Sequence, residues 1–388
     1  AALKREQNVA VVVVSPAGEY PVELEKELCH IEAELPDKDE VRRRIEQVTA
    51  EHPGQELAAD LIDNIVLTLR GLTLNETEHV MHRVLACRLA SREEILDAIF
   101  EQKKRLASRH GYLDFVPQPD NMDVIGGLSN VKDWAEKRKD LFTQKAVDAG
   151  LPIPGGVLIM GVSGCGKSLL AKAIAERWQV PLFRLDMNLV FSGMYGSPEA
   201  TFHRALKTIE AVSPAVLWID EIENGLGMTT TEHTSEQSLT FSAFLTWMQE
   251  KPPLVFVAAT ANRIESLPAE IIRKGRFDQV FFCDLPDEDE RREIIRIHLE
   301  RNGVKDGNVE IERLLYSTEG WSGAEIEQAI IAARIDARQE ERDFTTDDIK
   351  RHTGSMVPLS KTMAEQIKAI RRWAFDRATL ASEAKRIY

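Results

Sequence analysis

Gly161-Val162-Ser163-Gly164-Cys165-Gly166-Lys167-Ser168 decides how this chain folds. An apolar run, Gly156 to Met160, leads into it, and a helical pattern, Leu169 to Trp178, leads out. Strand, glycine-rich loop and helix in that order form the context a phosphate-binding loop requires. Glycines let successive backbone N–H groups curl around a polyphosphate without Cβ clashes. The helix that follows turns its positive dipole end toward the same place. Lys167 is then expected to reach the β- and γ-phosphates, and Ser168 to ligate Mg²⁺.

Two further strands carry polar residues at their ends. Val216 to Ile219 is apolar and is followed by Asp220 and Glu221. At the C-terminal end of a strand beside such a loop, one acid can hold a metal and the other can polarise a water as general base. Leu254 to Thr260 is a third buried strand, and Asn262 after it can orient that water. Downstream, Arg273, Lys274 and Arg276 form a basic cluster after a short helical stretch. An exposed turn and an arginine supplied to another subunit's phosphates both fit that pattern.

Taken in order, the chain opens with a buried-strand signal, Val9 to Val14, and a helical pattern around Val22 to Leu28. Asp37 with Glu40, Thr73 with Glu76, and Ser91 with Glu94 have capping-box spacing, so helices are predicted after each, the last running to about Arg109. Another helix is predicted over Leu57 to Leu69, ended by Gly71. Gly111 to Asp123 holds two prolines and little periodicity and reads as a linker. Then strands (the loop strand, Leu182–Leu185, Ala215–Ile219, Leu254–Thr260) alternate with helices (Leu128 to about Ala149, Ser197–Val212, Ser238–Glu250). Such alternation implies a doubly wound, mostly parallel α/β sheet. From Pro286 the pattern is helical, ending with a predicted helix over Thr362–Lys385. The expected division is 1–110, a 111–123 linker, a 124–285 large subdomain, a 286–355 helical lid and a 356–388 helical tail.

The 388 residues include 63 acidic and 49 basic ones, a net charge of −14, which argues against a general polyanion binder. Cys29, Cys87, Cys165 and Cys283 are far apart in sequence, as in a protein of a reducing compartment. Cys165 reads as a tolerated small residue rather than a redox switch. No run has transmembrane length, and the polar first residues do not read as a signal peptide. The chain begins without Met, as a processed protein or a fragment would.

From Met122 to about Lys350 these residues resemble an AAA-type ATPase with a P-loop NTPase fold. Asp123-Val124-Ile125-Gly126-Gly127 looks like its adenine-side motif. Gly161 to Ser168, continued by Leu169, matches Walker A, and Asp220-Glu221 matches Walker B. Asn262 falls at sensor 1. Leu267 to Asp278 matches the second region of homology, with Arg276 at the finger position and Arg273 beside it. His298 falls where family members contact base or ribose, and Gly323-Ala324 at sensor 2. The resemblance implies ATP and Mg²⁺ as ligands and a homo-oligomeric ring, usually a hexamer, with sites between subunits. Met194-Tyr195-Gly196 stands at the central-pore loop, where many unfoldases carry an aromatic first, so Met194 or Tyr195 would grip an extended polypeptide. Gln279 stands where many relatives carry a second finger arginine, leaving that role to Arg276. The whole chain is most similar to the AAA family of cyanobacteria and algal plastids known as hypothetical chloroplast reading frame forty-six. That implies the cytosol or a plastid stroma.

The N-terminal region echoes the lid. Glu34 to Ile45 lines up with Asp284 to Ile295, Pro21 faces Pro268, and Gly71-Leu72-Thr73 faces Gly320-Trp321-Ser322. Landmarks in the same order suggest an internal duplication, with Ser15 at the second sensor-1 position and no finger turn. Residues 1–110 then form a degenerate AAA-like half-module. The expected function is ATP hydrolysis coupled to remodelling of a protein substrate. A nucleic-acid motor or clamp and a nucleotide-gated scaffold are the alternatives.

Overall fold

In a computed structural model, the described residues are 36–53, 57–69, 72–87, 94–95, 98–99, 101, 111–116, 122–226, 235–263, 267–273, 275–304 and 309–383. The expected strand at Val9–Val14, the helix near Val22–Leu28, Ser15, Gly71 and nearly all of the helix from Ser91 lie outside them. The first helices are α1 (Lys38–Ala50), α2 (Ala59–Leu69) and α3 (Leu74–Ala86). Asp37 and Glu40 close a reciprocal capping box on α1, and Thr73 and Glu76 close one on α3. Val41, Ile45, Val48, Ile65, Leu69, Met81 and Val84 form a core of their own between these helices.

The sheet begins earlier than the sequence suggested. Within the expected linker, β1 (Leu113–Phe115) pairs antiparallel with β3 (Leu182–Leu185). Three residues are too short to show a period, and the partner strand supplies the order. Between them come α4 (Ser129–Glu136), α5 (Gln144–Asp148), β2 (Gly156–Gly161) and α6 (Lys167–Trp178). Next are α7 (Met187–Phe191), α8 (Pro198–Ala211), β4 (Ala215–Ile219), α9 (Ile222–Leu226), α10 (Ser235–Glu250) and β5 (Val255–Ala261). Ser197 caps α8 with Pro198 in its first turn, where a missing N–H has no consequence. A strand absent from the sequence reading, β6 (Gln279–Cys283), follows the basic turn. Its run of apolar residues has no alternation, so periodicity could not name it.

Sheet order is β1-β3-β4-β5-β2-β6, and all pairs but the first are parallel. Every residue of β2, β4 and β5 is buried, as a parallel sheet covered on both faces demands. Alternation divides them between two cores. Leu158, Met160, Leu217, Ile219, Val257 and Ala259 face one side, and Val157, Ile159, Val216, Trp218, Phe256 and Ala258 the other. The C-terminal ends of β2, β4 and β5 thereby come side by side.

The lid consists of α11 (Glu288–Arg301), α12 (Glu312–Leu315), α13 (Gly323–Gln339) and α14 (Thr346–Ser355). Its core is Ile295, Leu299, Leu314, Trp321, Ile326, Ile330 and neighbours. Asp287–Glu290 and Ser322–Glu325 close capping boxes on α11 and α13, at nearly the spacing of the two boxes on α1 and α3. The tail departs from the expected long helix. After α15 (Leu359–Thr362) and α16 (Ala364–Phe375), the chain turns at Asp376 and returns as β7 (Thr379–Leu380), parallel to β6 at the sheet edge. Thr379 opposite Phe281 and Leu380 opposite Phe282 give this β-prone pair a ladder that a helix here would forgo. No helix among the described residues is long and apolar enough to cross a membrane.

Candidate nucleotide-binding site

The loop after β2 is built by close backbone approach. Gly161 has φ 143°, and a Cβ there would lie 2.0 Å from the Cys283 carbonyl oxygen, so only glycine fits. That carbonyl accepts from Val162 N–H at 3.0 Å and ties the loop to β6. Ser163 is exposed at the crest and Cys165 is buried beneath it. Lys167 is buried, and its Nζ donates to the carbonyls of Gly161 (3.1 Å) and Val162 (2.7 Å). Burial pushes its pKa down, with Cys283, Cys165, Glu223 and Asp220 opposing. Curled amides, glycines where a side chain cannot fit, and a buried cation make a cradle suited to a polyphosphate.

Beside the cradle, Ser168 Oγ donates to Asp220 Oδ1 at 3.1 Å, and Thr260 Oγ1 donates to the same oxygen at 2.6 Å. A hydroxyl and a carboxylate, both hard oxygen donors, suit Mg²⁺. Glu221 has φ 48°, a left-handed conformation that costs a non-glycine residue about 1 kcal/mol or more. Its amide donates to Thr260 Oγ1 at 3.0 Å. Its carboxylate accepts from Asn262 Nδ2 at 2.7 Å and from Asn224 Nδ2 at 2.6 Å. Arg263 donates to Asn224 Oδ1 at 2.6 Å, and buried Glu223 accepts from the amides of Asn262 and Arg263. Asn262 Oδ1 is buried without a partner among the described residues.

An open pocket adjoins the loop. Ile125, Gly126, Gly164, Gly166, Leu169 and His298 are among its walls, with Gly323 at its rim. Ala324 N–H donates to the Gly164 carbonyl at 3.1 Å, bringing the start of α13 onto the loop. Gly126 passes against α11, where a Cβ would lie 2.6 Å from Ile294. Glu293 accepts from Gly127 N–H at 2.7 Å, and Glu290 from Leu128 N–H at 3.2 Å. Burial lowers the His298 pKa, opposed by Glu327 at 3.5 Å. Burial also pushes the Cys165 thiol up and Cys283 up to about 12, so neither is an activated nucleophile.

The expected residues therefore fall into three groups. Ile125, Gly126, the loop from Gly161 to Leu169, Asp220, Glu221, Asn262, His298, Gly323 and Ala324 come together. Arg276 does not join them: its guanidinium donates to the Glu270 carbonyl on its own turn, and Arg273 is exposed. The third group, Met194-Tyr195-Gly196, is divided. Met194 is 72% exposed, whereas the Tyr195 ring packs edge-on against buried Tyr112 with centroids 5.4 Å apart. Tyr195 is thus held by a core contact, and Met194 is the side chain the loop presents. Sequence reasoning passed over Thr260, Glu223, Asn224, Glu290 and Glu293. Thr260 stood in the third buried strand, and Glu290 lay opposite Glu40 in the echo of Glu34–Ile45 by Asp284–Ile295, but neither pattern tells which second partner a side chain finds.

The AAA model, ATPase family associated with various cellular activities, matches residues 157–285. The AAA domain-containing protein ycf46 of Pyropia yezoensis is 36% identical over 96% of this chain and 76% of its own length. Its counterpart in Guillardia theta is 36% identical over 95% and 73%. ATP-dependent zinc metalloprotease FtsH 2 of Petrotoga mobilis is 33% identical over 58% of this chain and 36% of its own length. A strand-borne glycine loop, paired acids after β4 and a lid resting on the loop agree with these matches: the chain belongs to the AAA ATPase family, in the group that includes the ycf46 proteins.

Proposed function

We propose that this chain hydrolyses ATP with Mg²⁺ in a homo-oligomeric ring, of hexameric size, and uses the cycle to remodel a protein substrate. The observation that carries the reading is the polar network across the ends of β2, β4 and β5. Ser168 pairs with Asp220, Thr260 bridges Asp220 to the Glu221 amide, and Asn262 holds the Glu221 carboxylate. Loop amides from Gly161 to Leu169 and the Lys167 ammonium would bind the phosphates. Mg²⁺ at Ser168 and Asp220 would supply charge neutralisation at the transferring phosphoryl group. Glu221 takes the proton of the attacking water, and its left-handed backbone and two amide donors fix the carboxylate's direction. Asn262 Oδ1, buried without a partner among the described residues, is available to accept from that water. Ile125, Gly126, His298, Gly323 and Ala324 border the base and ribose end.

Arg276 is held by the Glu270 carbonyl on its own turn and by no residue of its own chain's loop, which supports donation to a neighbouring copy. Met194, exposed at the crest of its loop, is the side chain available to grip an extended polypeptide. Free thiols at Cys87, Cys165 and Cys283 suit a cytosolic or stromal compartment. The test is Arg276→Ala. ATP affinity by fluorescence titration should be unchanged, while phosphate release should fall roughly a thousandfold, the effect of a lost arginine finger. Full turnover by this variant would remove the shared-site reading.

A further inference from the structure

The C-terminal segment is stitched to three elements around the base pocket. Its backbone joins the sheet edge, with β7 paired to β6 and Ala381 N–H donating to the Phe282 carbonyl at 2.9 Å. It also joins the start of α4. Asn130 Nδ2 donates to the carbonyls of Leu380 (3.0 Å) and Ser382 (2.9 Å), and Asn130 N–H to that of Ala381 (3.0 Å). Glu383 N–H donates to Ser129 Oγ at 3.1 Å. Finally, Ser382 Oγ donates to Glu290 Oε1, on the first turn of the lid. That oxygen is the one that accepts from Leu128 N–H, and both Glu290 and Leu128 line the pocket.

We propose that Thr379–Glu383 is a strap that sets the base pocket, with Ser382 as a positioning residue acting through Glu290. Glu290 has three calls on one carboxylate. Oε2 accepts from Asp287 N–H to close the helix cap, and Oε1 serves both Leu128 and Ser382, while the carboxyl end lies against Gly127. Ser382 fixes which way the carboxylate faces, and so holds Leu128 and the adjoining Gly126–Gly127 turn against α11. Asn130 in turn fixes Ser382, because it grips the carbonyls on both sides of Ala381. The strap therefore reads lid position and sheet edge together. It meets the pocket through Glu290 and Leu128. Its effect falls on what all adenine nucleotides share and not on the γ-phosphate.

The inference rests on the nucleotide reading, and the experiment separates the two. In the full chain, Ser382→Ala should weaken a fluorescent adenine nucleotide about fivefold, equally for the di- and triphosphate, the size of one ordinary hydrogen bond felt through Glu290. Ser382→Thr, which keeps the hydroxyl, should restore affinity. Lys167→Ala should instead weaken the triphosphate more than the diphosphate. Without any nucleotide, amide exchange at Gly127 and Leu128 should quicken about tenfold in Ser382→Ala and return in Ser382→Thr. Unchanged exchange in Ser382→Ala, or equal loss in the threonine variant, would overturn the strap. If the unmodified chain binds no adenine nucleotide, the site reading fails, and the exchange result still decides the strap.

Discussion

Asp37 and Glu40 open α1 as Asp287 and Glu290 open α11, and Thr73 and Glu76 open α3 as Ser322 and Glu325 open α13. Ile45 and Ile295 occupy the same register and both are buried in the cores of their bundles. The two bundles part at the positions that, in the lid, meet the nucleotide loop. Glu290 reaches Leu128, whereas Glu40 accepts from Asp37 N–H within its own cap. Where the lid has Glu293 holding Gly127 and Ile294 lying on Gly126, α1 has Arg43 and Arg44. Arg43 donates to the Asp39 carbonyl on its own helix, and Arg44 pairs with Glu78 on α3. His298 borders the pocket, and Val48 in its register is buried in the bundle core. Caps and core are what a helical bundle needs to fold; the facing side chains are what a nucleotide site needs. We propose that the N-terminal region is a degenerate half-module which, among its described residues, retains the first without the second, and that it serves as scaffold or adaptor.

The pair Glu40→Ala and Glu290→Ala probes that contrast most strongly. Each removes half of a capping box and should destabilise its helix by about 1 kcal/mol. Only Glu290→Ala should also weaken adenine nucleotide binding, by roughly tenfold, since it frees Leu128 N–H as well. Equal loss of affinity in both variants would show that the N-terminal bundle contributes to the site.

A smaller effect distinguishes His298 from Val48. Burial holds the folded-state pKa of His298 below the ordinary histidine value, with Glu327 only partly offsetting. As pH falls through about 6.5, the unfolded chain takes up this proton before the folded chain does. The lid should therefore lose stability on acidification from that point down to the folded-state pKa, and no more below it. His298→Val should flatten this part of the profile, measured by thermal unfolding between pH 7 and 5. A profile unchanged by the substitution would place the histidine's charge outside the folding linkage.

Much of the site was legible before the fold was known, for a physical reason. The glycine loop, Asp220-Glu221 and Asn262 each sit where a strand ends, and parallel strands of one sheet end on one side. Chain order alone brings them together. The capping boxes were readable too, because they join residues three apart. Less readable were contacts that depend on long-range closure. Thr260 was read as strand, yet its hydroxyl links both acids. Tyr195 looked like an exposed pore aromatic until Tyr112, inside the expected linker, was found beneath it. The tail was expected to run on as helix because Ala364 to Phe375 is strongly helical. Its turn back to β6 is decided by a partner strand that periodicity had not revealed.

The most direct measurement is nucleotide stoichiometry and turnover for Glu221→Gln. The amide keeps the side chain's shape but cannot take the water's proton. The assembled protein should bind one ATP per chain, with Mg²⁺, and hold it without releasing phosphate. Sustained hydrolysis by this variant would show that Glu221 is not the base. Two ATP per chain would show that the N-terminal half-module carries a site of its own.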